Sequence, residues 1–367
     1  MSSIRRLSSL SGQVRKSALR DTMKEAVVSK GPKVQIIESP IPIPGPYEVV
    51  TKVIFSGCNP KDWKRPEWMP DLQPTNQGDD ISGIVEAVGH AVTEFKPGDR
   101  VAAFHEMMAP GGSYAEYALS WSSTTFHLPQ NISFEEGATI PLAAMTAAVG
   151  LYARLGLPQP FLPAEGGTKI PLVVYGASSA VGSYAIQFAQ KSNIHPLICV
   201  AGRAQEHVKS LISPEKGDAV VDYRKGDEAV VRGIKDALHG AKLEYAFDAV
   251  SEKGSYQNIA KVIDPHSGNI TFVLPGKKYE GIPPGVRKSI TRVGDVHGNP
   301  GDLKDFGHVY FRYISKGLAD GWFKAQPHEI VPRGLSGIEE GLNKLKDGTA
   351  SAVKYIYRIS DTPGLGL

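Results

Sequence analysis

The stretch Pro171-Leu172-Val173-Val174-Tyr175-Gly176-Ala177-Ser178-Ser179-Ala180-Val181-Gly182 decides the fold. An apolar run, Leu172 to Tyr175, ends in a turn of small residues. That turn leads directly into Tyr184-Ala185-Ile186-Gln187-Phe188-Ala189-Gln190, where Ala185, Phe188 and Ala189 share one face at helical spacing. Buried strand, tight turn and helix, in that order, form the context of a dinucleotide-binding turn. Gly176 permits the sharp turn, and Ser178 and Ser179 offer donors to a pyrophosphate. Ala180 and Val181 open a helix whose N-terminus favours an anion, and Gly182 lets that helix pack closely on the strand. The spacing is not G-x-G-x-x-G, because Ser179 holds the middle position. Taken alone, the turn fits an ordinary strand–helix connection as well as a cofactor cradle.

Working outward, strands and helices alternate as a doubly wound parallel sheet requires. Strands are predicted at Leu197 to Ala201, Ala219 to Asp222, Tyr245 to Val250, Asn269 to Leu274 and Ile290 to Val296. Helices are predicted at Gln205 to Leu211, Ala229 to Leu238, Gly254 to Val262 and Tyr310 to Leu318. Upstream, Glu135 to Tyr152 reads as one helix, with Ser133 and Glu136 at capping-box spacing.

The first part of the chain follows another rule. Short strands at Glu25 to Val28, Val34 to Glu38, Glu48 to Phe55, Ile81 to Val88 and Val101 to Ala103 are punctuated by glycine and proline. That pattern indicates a β-rich domain. Pro40-Ile41-Pro42-Ile43-Pro44-Gly45-Pro46 excludes a helix there, and Ser56 to Lys64 reads as a turn dense in chemical groups. The pattern returns near the end, with a strand Glu329 to Pro332, a helix Ser336 to Leu345 and a strand Val353 to Ile359. The domains expected are a flexible tail at 1–22, a β-rich domain at 23–137 completed by 324–367, and a cofactor domain at 138–323.

The chain has 367 residues, 41% of them hydrophobic and 22% charged, as in a globular protein of two domains. A formal net charge of +3 gives no basic surface for nucleic acid. No apolar run reaches the ~18 residues of a membrane-spanning helix. Cys58 and Cys199 cannot build a disulfide framework, which favours a reducing compartment such as the cytoplasm. Residues 1–20 carry five Arg/Lys, four early serines and no acid. That composition fits a mitochondrial presequence as well as a dispensable tail, and the weak apolar spacing favours the tail.

Gly78-Asp79-Asp80-Ile81-Ser82-Gly83, Pro97-Gly98-Asp99-Arg100-Val101, Gly176 to Gly182 and Gly334-Leu335-Ser336-Gly337-Ile338 stand in an order that resembles the medium-chain dehydrogenase/reductase superfamily. The chain is most similar to its zinc-free quinone-oxidoreductase and fungal trans-enoyl-reductase (ToxD-like) branch. The resemblance covers residues 23 to 360. It implies a GroES-like catalytic domain beside a Rossmann domain.

Zinc enzymes of this superfamily hold their metal with cysteine, histidine and a further cysteine or carboxylate. Here Asp79 follows Gly78 where the histidine belongs, and there is no third cysteine, so no metal site is expected. Cys58 reads as a small buried residue. An enzyme for NAD should place an acid about 20 residues after the glycine turn. This chain has Ala201-Gly202-Arg203 there, which suits a 2′-phosphate and hence NADPH. The resemblance adds Tyr223 as a second phosphate contact, and Lys225 is a further helper. It also implies that Asn59, before Pro60, and Thr146 lie against the nicotinamide side.

Reduction of a conjugated C=C needs a donor at the enolate oxygen and a proton source. Lys61 and Lys64 are the candidates, with Tyr114 and Tyr310 as weaker ones. The expected activity is zinc-independent, NADPH-dependent reduction of an enone or enoyl thioester. Other readings are a quinone oxidoreductase, a reductase that works on an acyl carrier of a polyketide synthase, and an NADPH sensor without turnover. Monomer and homodimer both remain open.

Overall fold

The computed structural model describes residues 21–69, 71–298 and 301–365. The expected tail falls outside them except for Asp21 and Thr22, and Thr22 already opens a strand.

Six parallel strands form one sheet in the order Ala219–Asp222, Leu197–Ala201, Leu172–Tyr175, Tyr245–Asp248, Asn269–Phe272 and Arg287–Ile290. Counted along the chain, the order is 3-2-1-4-5-6, so the strand order reverses beside Leu172–Tyr175. All four residues of that strand are buried, each contributing on the order of 1.5–3 kcal/mol for an aliphatic side chain. The sixth strand lies upstream of the position predicted. Arg287, Lys288 and Ser289 of this edge strand are polar, and Val293–His297 forms a 3-10 turn instead.

A seven-stranded sheet makes the other lobe. Its order is His328–Ile330, Lys354–Arg358, Glu48–Gly57, Asp80–Val88, Arg100–Phe104 and Thr125–His127, with Tyr117–Trp121 also paired to Glu48–Gly57. The hairpin Thr22–Ser29 with Lys33–Pro40 packs beside it. The last strand of the chain thus inserts between His328–Ile330 and one of the earliest strands.

Two further expectations are corrected. The stretch after Gly57 is not a turn: Pro60–Trp68 is a helix. Pro60 occupies its first position, where no intrahelical N–H is needed, and the Asp62 carboxylate accepts the Asn59 N–H at 2.8 Å. The predicted helix Glu135 to Tyr152 is broken. Ser133 caps a single turn, Phe134–Gly137, and the helix restarts at Pro141 as Pro141–Ala148 before widening over Val149–Arg154. Pro141 has no N–H to continue the earlier ladder, so it starts a new one. Among the described residues, no helix is long and apolar enough to cross a membrane.

Candidate active site between the two lobes

The turn after Leu172–Tyr175 is tight and brings its helix close to the strand. Gly176 has φ +80°, and a Cβ there would lie 2.6 Å from Val250. A Cβ on Gly182 would lie 2.3 Å from the Gly176 carbonyl oxygen, so the helix Ala180–Lys191 approaches the strand as closely as backbone allows. The Ser179 hydroxyl accepts the Gly182 N–H at 3.0 Å and is the helix cap. Ser178, Ala180 and Val181 are partly exposed and Ser179 is exposed, at the end of the helix that favours an anion.

At the end of the second strand, the Tyr223 ring lies over Gly202, where a Cβ would be 2.5 Å from it. Tyr223 is half exposed. Arg203 is exposed beside it, and its guanidinium donates to the carbonyls of Gly348 and Thr349 at 3.0 and 3.3 Å. It therefore reaches from the Rossmann sheet to the other lobe. Ser178, Gly202, Arg203 and Tyr223 stand at the carboxyl ends of neighbouring strands, the general location for ligands in such sheets.

The opposite wall is built by the helix Pro60–Trp68 and by Pro141–Ala148. Asn59 is buried and forms a closed polar group with Asp80 and Lys354. Its Nδ2 donates to Asp80 Oδ2 at 2.7 Å, and Lys354 Nζ donates to Asn59 Oδ1 at 2.8 Å and to Asp80 Oδ2 at 2.5 Å. The other oxygen of Asp80 accepts the Leu142 N–H at 2.7 Å, an orphan donor at the start of the restarted helix. That helix carries Thr146, whose hydroxyl donates back to the Leu142 carbonyl at 2.7 Å. One carboxylate therefore ties Asn59 to the helix of Thr146.

The two lysines have different surroundings. Lys61 lies within a buried charge cluster. It pairs with Asp62 Oδ1 at 2.7 Å and with Asp79, and donates to the Gln77 carbonyl at 2.5 Å. Its partners are one backbone carbonyl and two buried carboxylates of its own lobe, so the structure places Lys61 in an internal charge cluster. Burial pushes the Asp79 carboxyl up, but Lys61 and His105 outweigh it and hold Asp79 at about 2. Asp62 moves the opposite way, raised by burial and by the charge on Asp79 despite Lys61. His105 Nδ1 lies 2.8 Å from the Asp79 carboxylate. Among the described residues no three Cys, His, Asp or Glu side chains are arranged to hold a metal ion. Burial, with Asp62 adding to it, pushes the Cys58 thiol up to about 12.

Lys64, one turn further along the helix, faces the Rossmann lobe and donates to Glu252 at 2.8 Å. Glu252 sits in the loop after Tyr245–Asp248. The buried Asp248 carboxylate pins that loop by accepting the N–H groups of Val250 and Ser251 and the Ser255 hydroxyl. The two tyrosines are placed elsewhere. The Tyr114 hydroxyl is buried and donates to Asp62 at 2.6 Å, and Tyr310 bonds Gln159 within an aromatic cluster with Tyr152, Phe188 and Phe306. Sequence reasoning missed Asp80, Glu252 and Lys354. The doublet Asp79-Asp80 was visible as a motif, whereas nothing local marks Lys354 or Glu252.

This two-lobed fold defines the class. Residues 45–130 match the family model "Alcohol dehydrogenase GroES-like domain". The putative zinc-dependent alcohol dehydrogenase of Rhizobium etli has the same fold, with TM-score 0.80 at 23% identity over 95% of this chain and 99% of that one. So does CurK enoyl reductase, with TM-score 0.72 at 19% identity over 92% and 99%. In sequence, the trans-enoyl reductase fsr4 of Gibberella fujikuroi is 58% identical over 330 residues, covering 90% of this chain and 96% of that protein. The trans-enoyl reductase ACTTS2 of Alternaria alternata is 31% identical over 92% and 99%. The chain belongs to the medium-chain dehydrogenase/reductase superfamily, and within it to the trans-enoyl reductases. It is an oxidoreductase that acts on an enoyl C=C.

Proposed function

We propose that the chain reduces the conjugated C=C of an enoyl thioester with NADPH, and that its substrate is carried on an acyl carrier of a polyketide synthase. The observation that supports this reading is the position of Lys64, whose ammonium stands between the two lobes with one hydrogen-bond acceptor, Glu252, among the described residues. The backbone of Gly176 to Gly182 would hold the pyrophosphate, Tyr223, Arg203 and Lys225 the 2′-phosphate, and Asn59 and Thr146 the nicotinamide side. When bound, the reduced nicotinamide supplies a hydride for the β-carbon. The C=C electron pair then moves toward the carbonyl, and charge develops on the enolate oxygen. Lys64 donates a hydrogen bond to that oxygen. The α-carbon takes its proton from Lys64 or from water, which leaves the saturated thioester.

The deciding measurement is nicotinamide oxidation at its absorbance, with NADPH or NADH, on a crotonyl thioester, an enone and a quinone. The panel is run with free and carrier-bound thioester, with and without chelator. Turnover with NADPH on the thioester, unaffected by chelator and faster on the carrier, supports the reading. Turnover on quinone alone, a preference for NADH, or loss of activity with chelator each overturns its corresponding part.

A further inference from the structure

Lys354 is 4% exposed, at the start of a strand that lies between two others, and no reading of the sequence marks it. A buried ammonium is retained only where acceptors meet it. Here the two acceptors are Asp80 Oδ2 and Asn59 Oδ1. The two ends of a primary amide are nearly alike in shape, so chemistry must choose between orientations. An ammonium only donates and a carboxylate only accepts. With Lys354 on one side and Asp80 on the other, one orientation of the Asn59 amide satisfies both. Its oxygen must face Lys354 and its nitrogen must face Asp80. The flipped amide would set NH2 against the ammonium and oxygen against the carboxylate. The nitrogen keeps a second N–H, whose direction is then fixed by the first two bonds.

We propose that Lys354 is a positioning residue that locks the Asn59 amide, so that this second N–H is presented to the nicotinamide side of the cofactor. The inference rests on the reading of Asn59 as a cofactor contact. Asp80 shares the task, since its second oxygen holds the Leu142 N–H and with it the helix of Thr146.

Direct NADPH binding, followed by nicotinamide fluorescence on the full chain without substrate, tests this. Lys354→Met alone leaves a buried carboxylate without its cation and threatens the fold, so it is paired with Asp80→Asn. The pair removes both charges, and an amide in place of the Asp80 carboxylate can offer either end. Thermal denaturation confirms that each variant is folded. Asn59→Ala is expected to weaken NADPH binding about tenfold, the worth of one hydrogen bond. The Asp80→Asn/Lys354→Met pair should weaken it about as much. Adding Asn59→Ala to the pair should cost nothing more, because Lys354 acts through Asn59. Additive losses, or a folded pair that binds NADPH normally, would overturn the positioning role alone. If Asn59→Ala binds NADPH normally, the reading of Asn59 fails first and the proposal fails with it.

Discussion

Lys64 and Glu252 meet between the two lobes at 2.8 Å, joining the helix capped by Asn59 to the loop that follows the strand Tyr245–Asp248. The pair is partly shielded, with side-chain exposures of 13% and 33%. The ammonium proposed to face the enolate is thus held by an acid of the opposite lobe. Lys64→Met should lower kcat by about 10²-fold if Lys64 supplies the donor. Glu252→Gln keeps a hydrogen-bond acceptor and should leave kcat within about threefold, because the donor itself remains. Steady-state NADPH oxidation on a crotonyl thioester checks both, and equal losses in the two variants would make the pair a structural clasp instead.

In the proposed reading, the patch at Gly202, Arg203 and Tyr223 sets the choice of cofactor. Arg203→Ala and Tyr223→Ala should each weaken NADPH about tenfold or more while leaving NADH nearly unchanged, because only NADPH carries the 2′-phosphate. Fluorescence titration with both cofactors reads the difference. Parallel losses for the two would mean that these side chains serve the fold, through the Gly348 and Thr349 carbonyls in the case of Arg203.

Asp248 gives the chain a pH dependence that can be isolated. Burial raises its carboxyl to about 6, against the pull of Ser255, the backbone donors and Lys277. The folded chain therefore holds this proton more tightly than the unfolded chain, whose carboxyl titrates near ~4. The stabilising contribution is complete below about pH 4 and is lost as the pH climbs through about 6, a difference on the order of 3 kcal/mol. Asp248→Asn removes the titration while its oxygen still accepts the loop N–H groups. The variant's Tm should gain on the wild type's between about pH 5 and about pH 7.5. An unchanged gap would show that Asp248 titrates normally.

Both thiols are buried, and burial pushes Cys58 up to about 12 and Cys199 higher still. The thiolate is the reactive form, so the native chain should resist alkylation near pH ~8, and denaturant should release both cysteines. Mass spectrometry after a timed iodoacetamide pulse counts them. Rapid native labelling of Cys58 would mean that the cleft exposes it.

The parallel sheet was legible because its central strands are short continuous apolar runs, Leu172 to Tyr175 and Leu197 to Ala201, buried on both faces. The edge strand Arg287–Ile290 was not, since an edge is half solvated and its residues read as loop. The helix Pro60–Trp68 was hidden by Pro66 within it, although Asn59 before Pro60 is a helix-start signal. In the site, the glycine turn and the Asn59-Pro60 step were visible because they are local. The split between Lys61 and Lys64 was not, because it depends on Asp79 and Glu252, which the fold brings in from elsewhere. Lys354 was hidden for the same reason, as one residue on an alternating strand.

Asn59 and Lys354 stand 295 positions apart, and ribosomes add about 5–20 residues per second. Roughly 15–60 s therefore separate the synthesis of the amide from that of the lysine paired with it. Throughout that interval Asp80 has no Lys354, and Glu48–Gly57 lacks the neighbour that Lys354–Arg358 becomes. The Rossmann sheet, contiguous in sequence, can close first. A nascent chain would then have the turn at residues 176–182 formed well before Asn59 is set. In the proposed reading, cofactor captured at that stage would be gripped at one end only, and the site would be complete only once the strand Lys354–Arg358 is made.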